Sequence, residues 1–185
     1  EALSQASVLH FSTHGTAGFD EPLQGGLLLA EKQMLTLGQI LDLRATQARL
    51  VVLSACETGI PGTKLPDEVI SLPSGFLQAG AAGVVGSLWE VDDPATMMLM
   101  AVFYENWKVQ GLPLPEALRQ AQIWIRDTTN AEKQAYFKQA IPELAGTRMS
   151  GETALNALWE VMHRNPEERS YAHPYFWAAF GYTGV

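Results

Sequence analysis

Apolar and polar positions along the chain alternate between short continuous apolar runs and longer stretches with helical spacing. Ser7-Val-Leu-His-Phe-Ser-Thr13 is a short apolar run that stops at His14-Gly15, which suits a strand buried on both faces. Thr16 to Gly26, rich in Gly, Asp and Pro, reads as a loop. Leu27 to Ala30 and Met34-Leu35 then predict a small hairpin around Glu31-Lys32-Gln33. Thr36 followed by Gln39 is a capping-box pattern that opens a short helix through Leu43. Arg49-Leu-Val-Val-Leu-Ser54 is the clearest strand, apolar and β-branched, and it runs straight into Ala55-Cys56-Glu57-Thr58-Gly59.

After a Gly- and Pro-bearing loop from Ile60 to Pro66, the spacing of Val69, Leu72, Phe76 and Leu77 predicts a helix over 67–79. Pro73 is expected to kink or divide it, and Gly80 to close it. Ala82 to Leu88 is a third buried strand, whose small residues allow a covering helix to come close. Asp92-Asp93-Pro94 supplies an N-cap with proline at the first helical position, and a helix follows through Trp107. Met97 to Met100 at helical spacing are core, not a cofactor box. Gly111 ends this helix and Pro115 opens the next, with Ala117, Leu118, Ala121 and Ile125 on one side. Residues 132–140 and 152–163 predict two more helices, and the aromatic run Tyr175 to Tyr182 a final strand.

This order predicts an α/β fold, a doubly wound, mostly parallel sheet with helices on both faces. Ligands in such sheets sit outside the carboxyl ends of the strands. The ends of the first two strands carry His14-Gly15 and Cys56.

Composition sharpens the picture. The 185 residues suit one domain spanning 1–185, long enough to bury about 70% of the unfolded chain's surface. The chain starts at Glu1 and only a few residues before its first strand, so the expectation is a piece of a larger protein whose sheet continues upstream. With 20 acidic against 12 basic side chains and a net charge of −8, a nucleic-acid binder, which needs clustered Lys and Arg, is disfavoured. A single cysteine allows no intrachain disulfide and points to a reducing, intracellular setting. No apolar stretch approaches the ~20 residues of a membrane helix, and no basic-then-apolar leader is present.

A cysteine attacks carbonyl carbon as its thiolate, and a free thiol with a pKa near ~8.5 needs a base or a charged neighbour to ionise at neutral pH. His14 can supply either. Gly15 lets the backbone turn off the strand, so the N–H groups of Gly15 and Cys56 become candidates for an oxyanion hole. The bland alternative is a buried cysteine acting as a small hydrophobe and a hydrogen-bonded histidine at a strand end. Other cysteine chemistries fail on spacing: a phosphatase loop needs Arg at position 62, which is Gly62, and a zinc site needs about four ligands. No G-x-S-x-G elbow surrounds Ser54, Ser71, Ser74 or Ser87. No metal or cofactor site is expected. His10 reads as a packed, hydrogen-bonded strand residue, with a role behind the site as the lesser alternative. His163 and His173 receive no chemistry, and Glu57 either touches substrate or is a solvated loop carboxylate. Trp89, Trp177 and Phe180 are expected near the cleft walls.

Leu9-His-Phe-Ser-Thr-His-Gly15 and Val52-Leu-Ser-Ala-Cys-Glu-Thr-Gly59 together resemble the CHAT domain, a caspase-like domain often attached to tetratricopeptide repeats and related to caspases, separases and gingipains. The resemblance continues through Gly86-Ser-Leu-Trp-Glu-Val-Asp-Asp93, the Ala117 to Ala121 helix and Pro174-Tyr-Phe-Trp-Ala-Ala-Phe180, covering almost the whole chain. It implies a bacterial, cytoplasmic cysteine endopeptidase that needs no cofactor, with Cys56 as nucleophile and His14 as general base and acid. It also implies a protein substrate and control by attached repeats or a partner protein, with no direct contact to nucleic acid or membrane. The Leu88 to Asp93 stretch looks like the separase segment whose aspartate lines a pocket for a basic P1 side chain, which makes Asp93 the first candidate and Asp92 the second. Helix capping beside Pro94 is the plain reading for at least one of them. The rival from another class is a non-catalytic caspase-like scaffold that binds a peptide or an adaptor in the same cleft.

Overall fold

The computed structural model of the chain describes residues 2–16, 21–43, 47–54, 71–143 and 151–185. These fall into two compact units, residues 1–91 together with 179–185, and residues 92–178.

The first unit is built on the short apolar runs. Strands β1 (Val8–Phe11), β5 (Leu50–Leu53), β6 (Gly83–Ser87) and β7 (Phe180–Gly184) form one sheet in the order β1-β5-β6-β7. β1 and β6 both run parallel to β5, whereas β7 returns antiparallel to β6. All residues of β5 and β6 are buried, as expected for central strands of a parallel sheet. A second, smaller antiparallel sheet joins β2 (Gly15–Thr16), β3 (Gly26–Leu28) and β4 (Met34–Thr36). The expected hairpin over 27–35 is β3–β4, with a short 3-10 turn at Ala30–Lys32 where Glu31 and Lys32 take positive φ.

One face of the large sheet is covered by two short helices. α2 (Leu37–Asp42) starts at Thr36, whose side chain accepts the Gln39 N–H while Gln39 reciprocates, the capping box expected from the sequence. α3 (Leu72–Gln78) starts at Ser71 by the same device with Ser74. Pro73 therefore does not kink the helix. It lies in the first turn, where no N–H is required of it. The predicted residues 67–70 lie outside the described ones. Leu37, Ile40, Leu72 and Phe76 close over Leu9, Val51, Leu53 and Val84 to make the core of this unit. A short helix α1 (Ala2–Gln5) precedes β1.

Two expectations about the last strands change. The aromatic run is not all strand: Pro174–Trp177 forms a helical turn, α8, capped by His173, and β7 begins only at Phe180. The small residues of β6 make room for a neighbouring strand as well. A Cβ on Gly83 would stand 2.8 Å from the Tyr182 ring carbons, so the ring of β7 lies over the glycine.

The second unit is helical. α4 (Asp93–Lys108) is buried nearly all round, with Met98, Leu99, Val102 and Phe103 inside, and packs on α5 (Leu114–Asp127), α7 (Gly151–Met162) and α8. Asp92, not Asp93, is its N-cap, so Pro94 occupies the second helical position. α6 (Asn130–Glu143) packs on α7 and carries Lys133, which has no solvent-exposed surface. Its Nζ donates to the Thr128 carbonyl at 2.6 Å and to Thr128 Oγ1 at 2.8 Å, beside the Trp124 and Tyr171 rings.

Burial lowers the Lys133 pKa from 10.5 to about 8. Because the folded pKa lies below the unfolded one, the unfolded chain binds the proton more tightly, and stability is lost as pH falls through this window. Urea unfolding of wild type and Lys133→Met between pH 7 and 10.5 should show wild type gaining stability relative to the variant as pH rises from about 8. A difference independent of pH contradicts this account.

Candidate active site

The site begins at the carboxyl end of β1. Phe11 is paired with Leu53, the last residue of β5, so two parallel neighbours end at the same level of the sheet. Three residues beyond Phe11 stands His14, and three residues beyond Leu53 in the sequence stands Cys56. His14 is described and exposed; Cys56 lies outside the described residues, as does Glu57.

The run expected to be strand through Thr13 leaves the large sheet after Phe11, and the small sheet takes it over. Thr13 Oγ1 donates a short hydrogen bond to the Leu28 carbonyl, and the Leu28 N–H donates to the His14 carbonyl at 2.8 Å. His14 is thus held by β3 on both sides of its own Cα, through the Thr13 hydroxyl before it and through its own carbonyl after it. That leaves the imidazole free of any need to anchor the chain.

The same ladder settles how the Gly15 peptide points. Antiparallel pairs alternate between hydrogen-bonded and non-bonded residues. With the Leu28 N–H on the His14 carbonyl, the Gly15–Leu27 pair is a non-bonded one. The Gly15 N–H is therefore directed away from β3 rather than into the ladder, as a donor for an oxyanion requires. Of this small sheet the sequence predicts the β3–β4 hairpin, whereas β2 falls where the first strand gives way to a predicted loop, because a two-residue strand carries no periodicity. The only legible signal was the hairpin partner that captures it.

At the end of β5, Ser54 ties the two parallel strands together. Its N–H donates to the Phe11 carbonyl at 3.0 Å, its hydroxyl approaches the same oxygen at 3.3 Å, and the His10 Nε2 lies 2.8 Å from Ser54 Oγ. His10 is exposed by area, yet crowding around the ring lowers its pKa from the ordinary histidine value, by desolvation of the charged form. The strand-residue reading of His10 holds, now with a named partner.

Asp92 and Asp93 open α4 in the second unit. The Asp92 carboxylate accepts the Ala95 N–H at 2.9 Å and so serves as cap, while Asp93 is exposed in the first turn. The His163 ring packs on Trp159 with centroids 4.7 Å apart, and His173 Nδ1 accepts the Tyr175 N–H at 3.2 Å. Trp177 donates its Nε1–H to the Ala172 carbonyl at 3.0 Å. Among the described residues no cluster of His, Cys, Asp and Glu could hold a metal ion, and no helix is long and apolar enough to cross a membrane.

Gly26 limits how the small sheet can be built. A Cβ there would press on the Leu35 carbonyl and stand 2.8 Å from Thr36 Cα, both backbone atoms of β4. Gly26→Ala should destabilise the chain by about 1–3 kcal/mol, the usual range for overpacking, and should speed hydrogen exchange of the Leu28 amide. Unchanged Leu28 protection would show that β3 holds His14 without needing this close approach.

No curated protein matches the chain. The family model of the CHAT domain, by contrast, matches residues 1–184, nearly the full length and both of the strand ends just described. With the parallel β1-β5-β6 arrangement in place beneath those ends, the chain belongs to the CHAT domain family, a family related to the caspase-like peptidases.

Proposed function

We propose that the chain is a cysteine endopeptidase in which Cys56 is the nucleophile and His14 the general base and acid. The observation that carries this reading is the register of β1 on β5. Phe11 opposite Leu53 sends the stretch to His14 and the stretch to Cys56 off adjacent parallel strands at one level, and strands in a sheet are only ~4.8 Å apart.

His14 takes the thiol proton, and the Cys56 thiolate adds to the scissile carbonyl carbon. The oxyanion is met by the N–H groups of Gly15 and Cys56. His14, now imidazolium, protonates the departing amine as the C–N bond breaks and the thioester forms. A water then loses its proton to His14 and attacks the thioester, the carboxylic acid product leaves, and the proton returns to the sulfur. Every proton that leaves one group is accounted for at the next, and no oxidation state changes, so the step needs no oxidant or reductant.

A carboxylate that a bound substrate covers and that pairs with Arg or Lys at P1 rejects other side chains, because they would leave it desolvated and unpaired. Asp93 fits this role better than Asp92, whose carboxylate is already committed to the Ala95 N–H. The substrate is accordingly a protein cut after a basic residue. Activity is governed by attached repeats or a partner protein, in a reducing cytoplasm that keeps the thiol free.

Cys56→Ala and His14→Ala should each lower kcat/KM by at least about a thousandfold while leaving the melting curve in place, the usual scale for losing one member of a nucleophile–base pair. Equal hydrolysis by wild type and both variants would overturn the assignment. In a P1 peptide library the wild type should favour Arg and Lys, and Asp93→Ala should lose that preference. Asp92→Ala should keep the preference and cost about 1 kcal/mol of stability as a lost cap. A wild-type preference for acidic or apolar P1 residues sinks the pocket assignment but not the dyad.

A further inference from the structure

His10 is left over by the mechanism above, and so is Ser54. Leu9 and Phe11 turn toward the core face, where Leu9 is buried and Phe11 packs on Phe76 with ring centroids 5.6 Å apart. By strand alternation His10 projects from the opposite face. Its register partner on β5 is Val52, and Ser54 stands two residues further along, on that same face. The pair is thus a diagonal cross-strand contact at the carboxyl edge, and it spans the very end of the β1–β5 ladder.

Ser54 Oγ lies between two partners, the His10 ring and the Phe11 carbonyl. Its hydroxyl has one proton and is placed to donate it to the Phe11 carbonyl. The 2.8 Å contact between His10 Nε2 and Ser54 Oγ is a hydrogen bond in either tautomer: Nε2–H donates to Oγ, or the hydroxyl turns from the Phe11 carbonyl to donate to Nε2. Desolvation favours the neutral ring. The contacts of Ser54 Oγ with the His10 Nε2 and the Phe11 carbonyl, with the Ser54 N–H on the same carbonyl, lock together the last residue of β1 and the first residue after β5.

Resting on the peptidase reading of this site, we propose that His10 is a positioning residue: acting through Ser54, it holds the strand end that leads to Cys56 against the strand end that leads to His14. His14 is anchored on its far side by Thr13 and Leu28. On the Cys56 side the described anchor is Ser54, two residues before the nucleophile in the sequence. Loosening it lets the thiol drift from its base while the Leu9, Val51, Leu53 and Phe76 cluster, which lies on the other face, stays in place.

The test uses full-length protein carrying His10→Leu, His10→Gln or Ser54→Ala, with Cys56→Ala as control. Peptide hydrolysis and iodoacetamide labelling of the Cys56 peptide, read by mass spectrometry, are measured for each. Glutamine keeps an amide near the Nε2 position that can donate to or accept from Ser54 Oγ, and leucine does not. His10→Leu should lower kcat about ten- to a hundredfold with KM within about twofold, since small misplacements near the reacting atoms reach that scale. Cys56 alkylation should slow in parallel, Ser54→Ala should follow His10→Leu, and His10→Gln should recover to within about threefold of wild type. Wild-type kcat and alkylation in His10→Leu, or equal loss in His10→Leu and His10→Gln, would overturn the proposal. If wild type and Cys56→Ala hydrolyse peptide equally, the peptidase reading falls by itself. The alkylation rates then decide alone: slowing in His10→Leu with recovery in His10→Gln supports the link, and equal rates defeat it.

Discussion

One carbonyl oxygen organises the end of the central sheet. The Phe11 carbonyl, at the last position of β1, receives the Ser54 N–H and the Ser54 hydroxyl, and through that hydroxyl the His10 ring. A backbone carbonyl has two acceptor directions, and both are used here by one residue of the neighbouring strand. The consequence is geometric. Parallel strands carry no hairpin turn to hold their ends together, so whatever emerges from them is only as well placed as the last cross-strand bonds. In this chain those bonds come from side chains as well as backbone, and they lie immediately before the two stretches that carry the candidate nucleophile and base.

The small sheet solves the complementary problem. After β1 the chain leaves the large sheet, and a free segment there would let the histidine wander. Capture by β3 needs only two residues, Gly15 and Thr16, because Thr13 and the His14 carbonyl add bonds to Leu28 from outside the paired region. Gly26 permits β3 and β4 to close behind it. The buried Leu27 and Leu35 then join this sheet to the same core as Phe76 and Leu9. A solvent-facing histidine is in this way attached to a rigid apolar interior without any bond from its own ring.

Much of this could be read from residue pattern. Central strands such as Leu50–Leu53 announce themselves, since burial on both faces demands an unbroken apolar run, and Thr36 with Gln39 marks a helix start through a local bond between near neighbours. Non-local pairing is less visible. Gly15–Thr16 is strand only because Gly26–Leu28 is there to receive it, and His10 gains its meaning from Ser54, distant in sequence and adjacent in space. Pro73 and the aromatic run from Tyr175 misled for a different reason. Proline is disruptive in a helix interior but harmless in a first turn, and the difference rests on where Ser71 caps. Aromatic residues favour strands on average, yet Pro174 preceded by a capping His173 starts a helical turn.

The return of β7 alongside β6 bears on how such a chain is assembled and diversified. Ser87 pairs with Phe180, and the Leu88 N–H donates to the Ala179 carbonyl at 2.8 Å. Residues 92–178 therefore depart from and rejoin the first unit through neighbouring strand ends, like a cassette spliced into a sheet. Lengthening or exchanging a segment whose two ends are already clamped side by side costs little extra chain entropy, because closure grows only slowly with loop length. The helical segment is free to vary while the β1–β5 edge stays the same. The cost appears in folding rate: the last strand of the sheet must wait for a partner separated from it by the whole insertion, a non-local step of the kind that slows assembly.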